Sequence, residues 1–206
     1  MEHMEIRNID FEVRADQSEE HGHFLSGRPI VYGQRTDIGW YDEIIEAGAL
    51  DTTDLKDVRF LVNHNTDMIP LARSRNNTDN STMQMMVDNE GMTIRVDLDT
   101  ENNTEAKNLY SAVGRGDITG MSFMFSVDSD SWDDADTDHP LRHIRSIRRV
   151  LEVSAVTFPA YSATSIQTRG LSEALDSAKE SLESERSRLR EIRRQKQKIK
   201  MLTEVL

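Results

Sequence analysis

LRHIRSIRRVLEVSAVTFP, residues 141–159, decides the fold class. Its β-branched residues read as one or two strands, and Pro159 stops them. Glu152 stands inside the apolar Val150–Val156 segment, where a carboxylate needs a partner. Two partners are open: an arginine such as Arg148 or Arg149 in a structural ion pair, or a histidine that the carboxylate orients.

Working outward, residues 128–139 hold six aspartates and read as a solvated loop, and the Ile118–Val127 strand precedes it. Gly114-Arg115-Gly116-Asp117 reads as a turn. Ala106, Leu109, Tyr110 and Val113 recur at helical spacing, with Thr100 as the expected cap. Met83–Val87 and Met92–Leu98 flank Asp88-Asn89-Glu90-Gly91, a hairpin signal. Val58–Val62 is a compact strand ending at Asn63-His64-Asn65, and Met4–Val13 and Gly22–Tyr32 are strand candidates. Tyr41–Ala47 fits a strand or one helical turn.

The pattern changes after Gly170. Leu171, Leu175, Ala178, Leu182, Leu189, Ile192 and Ile199 recur in steps of four and three, with Glu185 and Lys196 interrupting, which predicts a long amphipathic helix packed against something else. The expected organisation is a β-rich (α+β) domain over 1–168 and a helical segment over 169–206.

Hydrophobic residues make up 36% of the 206 and charged residues 30%, so the core must be concentrated in part of the chain. The net charge of −12 argues against general nucleic-acid binding. It is unevenly spread: residues 170–206 carry 9 basic against 7 acidic side chains, and 1–169 carry 16 against 30. Eight of the basic residues fall within 186–200, a stretch suited to an acidic partner surface. No cysteine is present, which removes disulfides, thiolate zinc sites and a cysteine nucleophile. No apolar run is long enough to span a membrane, and MEHMEIRNID does not read as a secretory signal.

Serine hydrolysis needs a hydroxyl, a base beside it, a group that orients the base, and donors for the oxyanion. Of six histidines, His64 follows a buried-type strand, a rigid mount for a catalytic side chain. A turn hydrogen bond to Asn63 or Asp67 is its other reading. Ser122, in Gly120-Met121-Ser122-Phe123, is either a small strand residue or a nucleophile. Glu152 is one candidate to orient His64 and His143 is the rival.

Three segments then resemble the tailed-phage prohead protease family. They are Phe60-Leu61-Val62-Asn63-His64-Asn65, Gly120-Met121-Ser122-Phe123-Met124-Phe125, and the run from Leu151-Glu152-Val153-Ser154 to Pro159-Ala160-Tyr161. Their order, with gaps of 58 and 30 residues between His64, Ser122 and Glu152, carries the specificity. The resemblance covers about residues 5–168; Gly27–Tyr32 and Trp40–Leu50 also look like the family's opening, while Met124 departs from the small residue usual there.

The resemblance implies a herpesvirus-protease-like β-barrel with flanking helices. It implies Ser122 as nucleophile, His64 as base and Glu152 as third member, with His143 kept as the alternative by analogy with the herpesvirus enzyme. Backbone amides near Arg148 and Arg149 are the oxyanion donors that the same analogy suggests. It further implies cleavage of the scaffold or of the major capsid protein's N-terminal extension, and of the protease itself, inside the assembling prohead in the host bacterial cytoplasm. Self-association there is expected; no cofactor, metal, membrane or specific nucleic acid is. The rival reading is a non-enzymatic assembly module, a protease-like barrel joined to a scaffold helix. A pure scaffold has no need of the His64 and Ser122 pair.

Overall fold

The computed structural model describes residues 3–9, 13–157 and 167–203. The segment around Pro159-Ala160-Tyr161, quoted above, lies outside them. In chain order the elements are β1 (Glu5–Ile9), β2 (Arg14–Ser18), β3 (Gly22–Val31), β4 (Arg35–Asp37), β5 (Asp42–Ile45), β6 (Asp57–Val62), β7 (Ala72–Arg75), β8 (Met83–Asp88) and β9 (Gly91–Asp97). Helix α1 (Thr104–Gly114), β10 (Gly120–Asp133), β11 (Leu141–Val156) and helix α2 (Gln167–Thr203) follow.

The β-branched stretch becomes one 16-residue strand, β11, and the larger sheet is built on it. β10 pairs antiparallel along its length, while β5 and β6 pair parallel to its first and last thirds. β1 and β4 end the path β1-β10-β11-β5-β4, and β7 joins through β6. A second sheet has the order β2-β3-β9-β8. The fold is β-rich with two helices, but neither sheet closes into a barrel among the described residues, which corrects the expected barrel. The edge strands β1, β4, β2 and β8 find no partners that would close the rings.

One core lies between the sheets. Leu25, Ile30, Met92 and Val96 of the smaller sheet meet Phe60, Met121, Phe123 and Val153 of the larger, and Ala106, Leu109 and Val113 of α1 close one side. Gly91 is required in this packing. Its φ is +139°, and a Cβ there would lie 2.0 Å from the Ile30 carbonyl oxygen.

Several local expectations change. β10 runs on to Asp133, so half of the aspartate-rich stretch is strand. Arg142 holds Asp130, Arg148 pairs with the exposed Asp128, and Trp132 is buried, so this half of the stretch finds partners within the sheet. The cap of α1 is Asn103, whose Oδ1 accepts from the Glu105 and Ala106 amides. Thr100, the expected cap, bonds the His23 ring instead. Helix α2 packs Ala178 and Leu182 on Tyr41 and Trp132, and Ser181 accepts from the Trp132 indole and donates to Asp130.

Candidate active site

Register sorts the side chains of β10 and β11. Met121 faces Ala155 and Phe123 faces Val153 across the ladder, and all four join the core. The alternate positions, Ser122, Ser154 and Glu152, share the other face. Ser122 lies directly opposite Ser154.

β6 brings His64 to that face. It runs parallel to β11 with Arg59 beside Glu152, Leu61 beside Ser154 and Val62 beside Ala155, so a chain that turns back after Val62 lies over Glu152 and Ser154. Asn63 and His64 then adopt positive φ angles of 50° and 56°. Two successive left-handed residues turn the chain over the sheet face, and Asn tolerates that conformation better than most. Hydrogen bonds hold the turn in place. The Asn63 amide donates to the Ala155 carbonyl (2.9 Å), and its side chain both donates to Thr157 Oγ1 (3.1 Å) and accepts from the Thr157 amide (2.9 Å). The His64 amide donates to Ser154 Oγ at 3.1 Å.

His64 Nδ1 lies 2.5 Å from Glu152 Oε1. The other carboxylate oxygen accepts from Ser154 Oγ at 2.6 Å. Glu152 is therefore paired with the histidine, and Arg148 binds Asp128 instead. A carboxylate at Nδ1 selects the tautomer that carries its proton there, which leaves the Nε2 lone pair free for a proton. Nε2 is buried with no hydrogen-bond partner among the described residues. Ser122 Oγ donates to the Arg7 carbonyl of β1 at 2.8 Å. Ser122 and Ser154 are fully buried, and His64 and Glu152 are 2% and 3% exposed.

The structure thus joins His64 to Glu152 and sets Ser122 on the same face, one strand away. His143 is not part of this group. It sits nine residues before Glu152 on β11, roughly 30 Å along the strand. Its Nδ1 bonds Glu46 (2.5 Å) and its Nε2 bonds Asp133 (3.1 Å). Arg149 pairs with Ser126, four residues and about 13 Å from Ser122, too far for its amide to meet an oxyanion formed there. The Asp67 amide donates to Asn65 Oδ1 (3.1 Å), not to His64.

Two features escaped the sequence reading. The first is Ser154, whose signal lies in the strand period: two residues after Glu152, it shares the same face. The second is a buried ion network beside the site. Arg7 pairs with Glu43 and with Glu5 (2.6 Å), and Arg142 with Glu5 (2.8 Å), Glu43 (3.2 Å) and Asp130 (2.7 Å). Burial pushes the Glu5 carboxyl up, but Arg7 and Arg142 outweigh it and hold the group below the usual carboxylate range. Burial likewise opposes charge on Arg7 and Arg142, and the surrounding acids leave both above the ordinary guanidinium value. The Tyr41 hydroxyl accepts from Arg7, and burial pushes its pKa up to about 12. Elsewhere, Asp37, Asp42 and His139 bring ligand-type atoms within 4.8 Å of one another, with Arg35 and His139 paired to Asp42.

No curated protein matches the chain. Among solved structures, the bacteriophage T4 capsid assembly protease gp21 aligns at 12% identity and a TM-score of 0.43, over 75% of this chain and 97% of that one. The model of the caudovirus prohead serine protease family matches residues 9–179. With a serine, a histidine and a carboxylate gathered on one sheet face within that span, the chain belongs to the caudovirus prohead serine proteases.

Proposed function

We propose that this chain is a serine endopeptidase that cuts capsid or scaffold protein, and itself, with Ser122 as nucleophile, His64 as base and Glu152 as the group that orients His64. The observation that carries the reading is the 2.5 Å contact of Glu152 with His64 Nδ1, beside an unpartnered Nε2 on the face that bears Ser122. Rotation of Ser122 about its Cα–Cβ bond moves the hydroxyl from the Arg7 carbonyl toward Nε2. Nε2 takes the proton as Oγ attacks a substrate carbonyl carbon. The scissile C–N bond then breaks, the proton passes from Nε2 to the leaving amine, and an acyl-enzyme remains. Water, deprotonated by the same nitrogen, releases the acid and restores Ser122. Glu152 holds the imidazole in the productive tautomer and steadies the imidazolium.

Residues 1–168 form the protease domain in this reading, and 169–206 a helix whose basic stretch meets an acidic partner in the prohead, within the host cytoplasm. Co-expression with the major capsid protein of the same genome tests it. Processing is expected with the wild type and is lost with Ser122→Ala and with His64→Ala. Cleavage by Ser122→Ala refutes the nucleophile. A wild type that leaves capsid and scaffold proteins intact favours the assembly-module reading instead.

A further inference from the structure

Ser154 is fully buried and sits between two parts of the site. Its Oγ donates to Glu152 Oε2 at 2.6 Å and accepts from the His64 amide at 3.1 Å. One hydroxyl therefore fixes the carboxylate and the backbone of the residue that the carboxylate orients. The arrangement has a geometric need. His64 has a left-handed backbone, a conformation that persists only where its surroundings hold it. Glu152 has one oxygen at the imidazole, and Ser154 holds its second oxygen.

We propose that Ser154 is a positioning residue for the reaction: it locks Glu152 and the His64 turn together so that Nε2 points at the nucleophile. The inference rests on the assignment of Ser122 and His64 made above. It adds that the hydroxyl opposite the nucleophile acts through the histidine and not on substrate. Ser154 has its one proton committed to a carboxylate, so it donates nothing to an oxyanion. Ser122 gives its proton to a backbone carbonyl, a weaker acceptor, and is the freer of the two.

The test uses the full chain and two measurements. The first is the rate of covalent labelling by a fluorophosphonate, with the labelled residue located by mass spectrometry. The second is the downfield proton resonance of the His64 Nδ1–H, identified by its loss in His64→Ala. Wild type is expected to be labelled at Ser122. Ser154→Ala is expected to be labelled about 10- to 100-fold more slowly, the loss of a hydrogen bond to a charged group. Its Nδ1 resonance should be lost to solvent exchange. Ser154→Cys, which keeps the volume but donates weakly, should fall between, and it serves if the alanine variant does not fold. A merely structural serine would lower thermal stability and leave both readouts alone. Wild-type labelling rate and an unchanged resonance in Ser154→Ala, or in Ser154→Cys where alanine does not fold, overturn the proposal. Labelling of the wild type at a residue other than Ser122 overturns the underlying assignment instead, and the resonance still judges Ser154.

Discussion

Replacing Arg142 with methionine strips the buried ion network of one of its two cations. The side chain is 1% exposed and bonds both oxygens of Glu5, one of Glu43 and one of Asp130. Without it, Glu5 and Glu43 keep Arg7 as their cation in the described network, Asp130 loses its arginine, and Glu5 is fully buried. Breaking a buried pair in this way costs about 3–5 kcal/mol, because a charge stays behind without its partner. For a chain of this size that is roughly 6–20 °C in melting temperature. The assay is urea and thermal unfolding followed by circular dichroism, with Glu5→Gln and the double variant in a cycle. The double variant should recover part of the loss, since neutralising Glu5 removes the stranded charge. The pH dependence has a fixed sign. The Glu5 carboxyl is held below its ordinary value of 4.5, so its contribution to wild-type stability is present above that pH and fades as pH falls through the lower folded value. A cost for Arg142→Met below about 1 kcal/mol, or single-variant losses that simply add, refutes the account of the network as charge compensation.

Two further outcomes follow from the same geometry. Tyr41 titrates at about 12 against an ordinary 10.0, so between those values the unfolded chain ionises while the folded one does not. Stability should fall by about 2–3 kcal/mol across that window, Tyr41→Phe should flatten the fall, and unfolding curves at stepped alkaline pH check both. Asn63→Val places a β-branched side chain at a φ of 50° and removes the clasp on Thr157. It should cost about 1–3 kcal/mol in unfolding free energy and slow capsid-protein processing, with Asn63→Gly closer to wild type in stability, because glycine accepts the backbone angle.

The chain shows its strands more openly than its sheets. Apolar runs, β-branched in β11, mark β11, β10 and β6 in the sequence because local patterning and burial agree there. The short strands β2, β4 and β7 went unseen. RADQS, RTD and ARSR have no periodic apolar face, and their pairing comes from the neighbours they meet. The end of β10 failed for a related reason. An aspartate-rich segment looks solvated until arginines 12 and 20 residues later, and a helix about 50 later, supply its partners. The ion network is equally non-local: Glu5, Glu43 and Arg142 come from three strands, and nothing in their own neighbourhoods distinguishes them from surface charges.

The candidate site follows the same division. Glu152 drew notice because a carboxylate within an apolar strand must be compensated, and that demand is visible in one dimension. Its choice of partner is not. Arg148, Arg149 and His64 were all available by composition, and the parallel pairing of β6 with the last third of β11 decides among them. That pairing sets β6 beside the stretch of β11 that bears Glu152 and Ser154, and it leaves His143 at the far end of the same strand, between Glu46 and Asp133. A parallel register between residues some 90 positions apart leaves no trace in either segment. The two left-handed residues at the end of β6 are the local counterpart of that register, since a strand that simply continued past Val62 would carry His64 along the sheet instead of over it. Asn63 therefore does for the histidine what the β-ladder does for Glu152 and Ser122: it fixes direction, and the chemistry proposed for the site depends on direction before it depends on residue type.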